Sequence, residues 1–186
     1  MIAEAGTEEE LACTGLVRLR RAAVDDAPEI AKVHVRTWQS AYRGLMPQAL
    51  LDSLTFERRT GWWKGQLELA RDDHRPWVAV DDERVVGFVH AGPSREDDAA
   101  TNIGEVYAIY VDPECQGKGI GRDLLRHATR DLRTHGFRTA ILWVLHDNQP
   151  SRRFYEAAGW SDDGGERVES LGGFDVKEAR YSVALD

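Results

Sequence analysis

The feature that most limits the fold of this chain is a strong strand followed closely by a glycine-rich turn and an amphipathic helix. The strand is Ile103–Val111, in which aromatic and β-branched residues predominate. The turn has glycines at three alternate positions, Gly117, Gly119 and Gly121. Behind it, apolar residues recur at helical spacing as far as Gly136, a residue suited to ending a helix. Such a unit needs a sheet with a helix packed against it, which predicts an α/β fold.

The rest of the chain supplies further strands and helices for one such domain. Strands are predicted at residues 17–21, 77–80, 84–90 and 140–145, with two closing strands after residue 160, the last at 178–185. Helices are predicted from about 25 to 41, from about 48 to 70 with a break near Thr60 and Gly61, and from about 149 to 158. The prediction is an α/β (α+β) domain over residues 16–186, after a flexible tail at 1–15. Its mixed sheet has about six to seven strands, with helices on both faces.

The glycine-rich turn has the composition of a phosphate-binding loop. Glycines remove the Cβ atoms that keep a ligand from the backbone, so successive amides can converge at the positive end of a helix. Lys118 and Arg122 add cationic groups beside it. A P-loop sequence is absent from the chain, and the dinucleotide fingerprint fails because Arg122 stands where its last glycine would be. The alternative is a strand-to-helix turn that is glycine-rich for structural reasons only.

Composition excludes several classes of protein. The net charge of −8 argues against nucleic-acid binding and mildly favours cationic substrates. The sequence has no apolar run long enough for a membrane helix, and residues 1–15 do not resemble a secretory signal. With two cysteines and no metal-ligand spacing among the six histidines, we expect a cytoplasmic protein without a metal site.

Two motifs together resemble those of the GNAT superfamily of acyl-CoA N-acyltransferases. Residues 116–121 read QGKGIG, which matches its Q/R-x-x-G-x-G/A motif. Residues 148–160 read NQPSRRFYEAAGW, which resembles its second signature, N-x-x-[SA]-x-x-[FL]-Y-E-x-x-G-[FW]. The order of elements also agrees from about residue 17 onward. The resemblance implies a sheet splayed between its fourth and fifth strands, with acetyl-CoA in the cleft.

Carried over by position, the resemblance also implies which residues bind the cofactor. The pantetheine arm would bond to the backbone of Ile109, Tyr110 and Val111. The pyrophosphate would lie on the amides of Gln116, Gly117, Lys118, Gly119, Ile120, Gly121 and Arg122. Asn148 would contact the pantetheine from the opposite wall.

Acetyl transfer from a thioester to an amine needs a base, an oxyanion donor and an acid for the leaving thiolate. Tyr155, at the family's Phe-Tyr-Glu position, is the candidate acid, although a buried tyrosine can also serve packing alone. Glu105 either faces the cleft and acts as base through a water molecule, or points outward as an ordinary strand glutamate. Val111 would supply the oxyanion amide. Cys115, with no neighbouring base, is predicted to be an exposed, unreactive thiol.

The acceptor is predicted to bind near Trp38, Tyr42 and Arg43, where GNAT proteins typically form the acceptor wall; packing in the core is the alternative for the two aromatic residues. The predicted function is direct transfer of acetyl from acetyl-CoA to a small-molecule or peptide amine in a ternary complex. The alternatives are a non-catalytic acyl-CoA sensor and an unrelated phosphate-ligand protein. The sequence is compatible with a homodimer.

Overall fold

The computed structural model describes residue 13 and residues 17–70, 76–96 and 99–185. Apart from Cys13, the tail predicted at residues 1–15 lies outside the described residues. Among the helices that are described, none combines the length and the apolar character needed to cross a membrane.

The described residues form one seven-stranded sheet, as the sequence predicted. Its strands are β1 (Arg18–Arg21), β2 (Trp77–Asp81), β3 (Arg84–Pro93), β4 (Ile103–Val111), β5 (Thr139–Leu145), β6 (Ser161–Leu171) and β7 (Phe174–Ala184). Their order across the sheet is β1-β2-β3-β4-β5-β7-β6. Neighbouring strands are antiparallel except β4 and β5, which are parallel. The sheet is therefore mixed, and its one parallel pair lies at the centre.

Helices cover both faces of this sheet. They are α1 (Ala27–Ala41), α2 (Gln48–Asp52), α3 (Phe56–Leu69), α4 (Ile120–Thr134) and α5 (Gln149–Ala157). The helices α1 and α3 pack on one face of the N-terminal half, and α4 packs on the opposite face.

The predicted break near Thr60 and Gly61 is wrong, because α3 runs through both residues. The interruption lies at residues 53–55, where the side chain of Thr55 caps the start of α3. Burial of Trp63 and Leu67 against the sheet offsets the low helix propensity of the glycine.

A bulge at Tyr107 changes which side chains of β4 face each helix layer. The register with β3 passes from Val106 directly to Ala108, so Tyr107 is the extra residue of the bulge. Because the alternation of side chains between the two faces of the sheet restarts at the bulge, Val106 and Ile109 both join the core beneath α4. Ala108 and Tyr110 instead pack with the core of α1 and α3.

Close packing brings the start of α4 to the end of β4. A Cβ atom added at Gly104 would lie 2.8 Å from a methyl carbon of Leu132, so glycine is needed for this contact. Since Leu132 lies near the end of α4 and Gly104 near the start of β4, the two elements run in opposite directions. The first turn of α4 is therefore placed beside the carboxyl end of β4.

Candidate active site

The two central strands pair only at their beginnings and then separate. Residues 103–106 of β4 pair with residues 139–142 of β5, and beyond these β4 continues to Val111 and β5 to Leu145 without pairing to each other. A cavity of about 760 Å³ opens in this gap. Both strands, the glycine-rich loop, α1, α5 and the strands β6 and β7 contribute to its walls. The splayed sheet predicted from the sequence is confirmed.

The backbone of β4 presents polar groups to this gap at alternate residues. Asp112 N donates to Val86 O at 2.9 Å, which fixes the phase of the antiparallel ladder with β3. The amides and carbonyls of Tyr110 therefore turn toward β3. Those of Ile109 and Val111 turn toward the gap. Of the three residues predicted to bind an extended ligand by their backbone, these two are oriented to do so.

The glycine-rich loop is open where a ligand would approach it. Gly117 and Gly119 have positive φ angles of 77° and 86°, and a Cβ atom at either would meet no atom within 4 Å. The first bond within α4 runs from Asp123 N to Gly119 O at 3.1 Å. The amides of residues 120–122 precede it and have no acceptor within the helix. They lie at the positive end of α4, an arrangement that suits a phosphate.

The side chain of Gln116 fixes the base of this loop. Its Nε2 donates to the carbonyl of Val111 at 3.0 Å, and Thr37 Oγ1 from α1 donates to the same carbonyl at 3.1 Å. The carbonyl of Val111 is thus already satisfied. The N–H group of Val111 remains available to a ligand in the gap. An oxyanion donor needs such a free N–H group.

The two cations of the loop have different surroundings. Arg122 lines the cavity. Lys118 does not, and its Nζ donates to the carbonyl of Cys13 at 2.8 Å. Ile120 has its side chain buried in the core and contributes to the cavity wall beside the loop.

Tyr155 lies on α5 with its ring buried and its side chain on the cavity wall. Burial raises the pKa of its hydroxyl above the usual value, and the nearby Tyr110 adds to the effect. Among the described residues, the hydroxyl has no hydrogen-bond partner. It is therefore neutral over the physiological pH range and remains able to donate a hydrogen bond to a ligand.

Glu105 faces inward, so the interpretation as an outward-facing strand glutamate is wrong. Its side chain is 2% exposed and contributes to the cavity. The carboxylate accepts bonds from the backbone N–H of Arg95 at 2.8 Å and from the guanidinium of Arg95 at 2.7 Å. That guanidinium lies 4.1 Å from the ring centroid of Tyr107. The buried charge is compensated, and its position is fixed.

Asn148 lies at the start of α5 on the wall opposite β4. Its Oδ1 caps the helix by accepting from Ser151 N at 3.2 Å. Its side-chain amide group has no partner among the described residues. Asn148 is buried and lines the cavity, so this group is placed to meet a ligand.

The residues predicted to form the acceptor wall separate into two groups. Trp38 and Tyr42 line the cavity and also pack edge to face, with centroids 4.9 Å apart. Burial raises the pKa of the Tyr42 hydroxyl, with the neighbouring Tyr110 as the next cause. Arg43 is exposed and does not line the cavity.

The sequence analysis missed a group of residues on the far wall. Arg167 of β6 donates from Nε to Glu178 of β7 at 2.7 Å, and its guanidinium lies 4.4 Å from the ring centroid of Trp143. All three line the cavity, as does Glu169. Two closing strands were predicted here, but only the cross-strand register shows which of their charges meet.

The prediction that Cys115 is an exposed thiol is wrong. Its side chain is fully buried in the core below α4, next to Cys13. Arg84 Nη2 approaches its sulfur at 3.7 Å. Within the described ranges, no group of three or more histidine, cysteine or acidic residues is arranged to hold a metal ion.

Comparison with known proteins agrees with this geometry. The chain matches the model of the acetyltransferase (GNAT) family over residues 33–160. It is 37% identical over 143 residues to YuaI of Bacillus subtilis (strain 168), an uncharacterized N-acetyltransferase, covering 76% of this chain and 79% of that one. It is also 31% identical over 143 residues to a mycothiol acetyltransferase of Rhodococcus jostii (strain RHA1), covering 74% of this chain and 43% of that longer protein.

Solved structures share the fold at lower identity. The N-acetyltransferase of Staphylococcus aureus Mu50 superposes with a TM-score of 0.68 at 21% identity, covering 91% of this chain and 99% of the other. The PaiA N-acetyltransferase of Thermoplasma acidophilum, in complex with coenzyme A, gives a TM-score of 0.63 at 21% identity, covering 88% and 97%. These likenesses concern the arrangement of helices and strands.

Proposed function

This chain belongs to the acetyltransferase (GNAT) family, and we propose that it transfers the acetyl group of acetyl-CoA directly to an amine acceptor. The observation that carries the proposal is the continuity of two sets of backbone amides. Those of Ile109 and Val111 face the gap, and those at the start of α4 lie at its end. An extended ligand with a terminal diphosphate, such as acetyl-CoA, matches both sets.

In this proposal the pantetheine arm lies along β4 as an additional strand would. It bonds to the backbone of Ile109 on one side and to the amide group of Asn148 on the other, which leaves the N–H of Val111 for the oxyanion. The pyrophosphate lies on the loop amides between Gln116 and Arg122, with Arg122 adding charge. The thioester then lies within the gap, where the acceptor enters from the side of Trp38 and Tyr42.

The chemical step follows from the groups around the thioester. Glu105 accepts the proton of the acceptor ammonium through a water molecule, because an alkyl ammonium with a pKa of about 10.4 has no free electron pair at neutral pH. The free amine attacks the carbonyl carbon, and the N–H of Val111 stabilises the oxyanion. The tetrahedral intermediate expels the thiolate of CoA. Tyr155 donates its proton to the thiolate, and the nitrogen of the new amide gives its surplus proton to the tyrosinate, which restores the hydroxyl. The raised pKa of Tyr155 keeps this hydroxyl protonated at neutral pH until the thiolate forms.

The test uses acetyl-CoA and ATP as titrants in calorimetry, followed by release of free CoA thiol with a panel of amines. Binding of acetyl-CoA in preference to ATP supports the cofactor assignment, since only the gap along β4 distinguishes pantetheine from a plain nucleotide. Intersecting initial-velocity patterns support a ternary complex. A parallel pattern, as a covalent acyl-enzyme gives, would refute direct transfer. Tight binding of acetyl-CoA without turnover of any amine would favour the alternative, a non-catalytic acyl-CoA sensor.

A further inference from the structure

Two walls of the cavity repeat the same combination of side chains. On one wall Glu105 holds Arg95 against Tyr107, and on the other Glu178 holds Arg167 against Trp143. In each, a carboxylate and an aromatic ring fix the plane of a guanidinium. The outer edge of each guanidinium then faces away from its glutamate.

The two arginines differ in how many of their N–H groups are already engaged. Arg95 donates from its backbone N, from Nε and from Nη2 to Glu105, and its side chain is 60% exposed. Arg167 donates only from Nε, and its side chain is 34% exposed. Among the described residues, neither terminal nitrogen of Arg167 has a partner. Arg167 thus offers the cavity a preoriented pair of cationic donors.

The charges around Arg167 are of both signs. Glu169 lies two residues further along β6, on the same side of the strand and on the same cavity wall. Its carboxylate has no ion-pair partner among the described residues. A polyamine would meet the free edge of Arg167 without an anion to offer. An acceptor that carries a carboxylate beside its amine complements both groups.

We propose that the acceptor is an aminocarboxylate and that Arg167 binds its carboxylate while the amine faces the thioester. This inference rests on the proposed function, because it assigns the acceptor of that same site. A guanidinium that lines a cavity and has both terminal nitrogens without a partner among the described residues can bind a carboxylate through two parallel hydrogen bonds. The ring of Trp143 holds the guanidinium plane, so little side-chain freedom is lost when the acceptor binds.

The experiment compares acceptors that differ only at the carboxylate. The pairs are ω-amino acids of three to six carbons and lysine, each with its own carboxamide. Turnover is followed by release of CoA thiol in the wild type, in Arg167→Gln and in Arg180→Gln. The last variant is a matched control, since Arg180 lies near the same ring at 5.7 Å but bonds to Asp163 and Glu96 and does not line the cavity. Differences in amine basicity cancel when the acid-to-amide ratio is compared between enzymes.

In the wild type we expect kcat/KM for at least one acid to exceed that for its carboxamide by about 10-fold or more, because the acid has the lower KM. Arg167→Gln should reduce that preference about 10- to 100-fold, as loss of a charge-assisted hydrogen bond does, while KM for acetyl-CoA is unchanged. Arg180→Gln should keep the preference. The inference is overturned if the amides are used equally well, if the preference survives in Arg167→Gln, or if only polyamines react. Failure of acetyl-CoA to bind at all would instead refute the proposed function.

Discussion

The side-chain amide of Gln116 bonds to the carbonyl of Val111 at 3.0 Å and ties the start of the glycine-rich loop to the end of β4. The base of the loop is therefore fixed before any ligand arrives. The open part begins at Gly117, whose positive φ turns the backbone away from the core. In the proposed complex, ligand contacts in the loop fall on amides that the fold has already oriented.

Gly119→Glu should abolish acetyl-CoA binding, with a loss of affinity of about 100-fold or more, because the side chain fills the loop and repels the diphosphate. The positive φ adds a folding cost of about 1–2 kcal/mol. Calorimetry measures the affinity, and thermal unfolding measures the cost. Gly136→Glu is the matched control, since Gly136 also has a positive φ and free space but lies at the far end of α4. Unchanged affinity in Gly119→Glu would contradict the loop assignment.

Tyr155→Phe should lower kcat by about 100-fold or more and leave the KM for acetyl-CoA nearly unchanged, because only protonation of the leaving thiolate is lost. Steady-state kinetics provide the measurement. Tyr181→Phe is the comparison, since its buried hydroxyl bonds to Arg152 and Glu156 and does not line the cavity. That variant should lose about 1 kcal/mol of stability and keep its kcat. Full turnover in Tyr155→Phe would exclude it as the acid.

Glu105→Gln should lower kcat by about 100-fold or more, because the carboxylate that accepts the proton of the acceptor ammonium is lost; steady-state kinetics measure the change. Glu178→Gln tests specificity, since that carboxylate lies on the same cavity and is also held by an arginine. We expect the Glu178 variant to change the KM of the acceptor more than kcat. Equal losses of kcat in both variants would mean that Glu105 has no special role as base.

Cys115→Ala should keep kcat within about twofold of the wild type, because the buried thiol does not form an acyl intermediate. A small loss of stability, on the order of 1 kcal/mol, follows from the cavity that the sulfur leaves. Mass spectrometry after incubation with acetyl-CoA should find no acetyl group on this residue. An acetylated Cys115, or an inactive variant that is folded, would favour a covalent route.

Stability should fall as the pH drops below about 6.5, in part because of His34. Burial, and then the charge of Arg59, lower the pKa of this histidine to about 3, so it stays neutral in the folded protein. Its Nδ1 accepts from Trp63 Nε1 at 3.2 Å. The unfolded chain binds a proton at its ordinary pKa of about 6.5, and the folded chain does not. Between pH 7 and pH 5.5 this difference in proton binding lowers the free energy of unfolding by about 1 kcal/mol.

Urea unfolding at the two pH values measures the effect. His34→Gln should remove most of the loss of stability between the two pH values. His146→Gln is the control, since His146 is a partly exposed loop histidine, and it should keep that loss. An unchanged pH slope in the His34 variant would refute the explanation.

Local sequence predicted the parts of the site that lie within one stretch of chain. The loop from Gln116 to Arg122 and the strand before it are encoded by adjacent residues, and both were found where the glycines and β-branched residues indicated. The spacing of the second motif put Tyr155 within α5 and Asn148 at its N-cap, and both residues line the cavity. Such features depend on few long-range contacts.

The remainder depends on pairings between distant residues. Arg95 lies outside every predicted strand and helix, and no pattern indicated that it would neutralise Glu105. The meeting of Arg167, Glu178 and Trp143 depends on the register of β6, β7 and β5. Cys115 is buried because the turn before α4 folds onto the core beside Cys13, which a local interpretation of the turn did not anticipate.

The bulge at Tyr107 sets which side each residue of the carboxyl half of β4 faces. If Tyr107 were paired with β3 in a regular ladder, every position after it would exchange sides. The main-chain donors of Ile109 and Val111 would turn to β3, those of Tyr110 would enter the gap, and the aromatic ring would move to the layer beneath α4. The bulge thus decides which residues of the central strand offer their main-chain groups to a ligand, so the pairing of β4 is as much a determinant of this site as its composition.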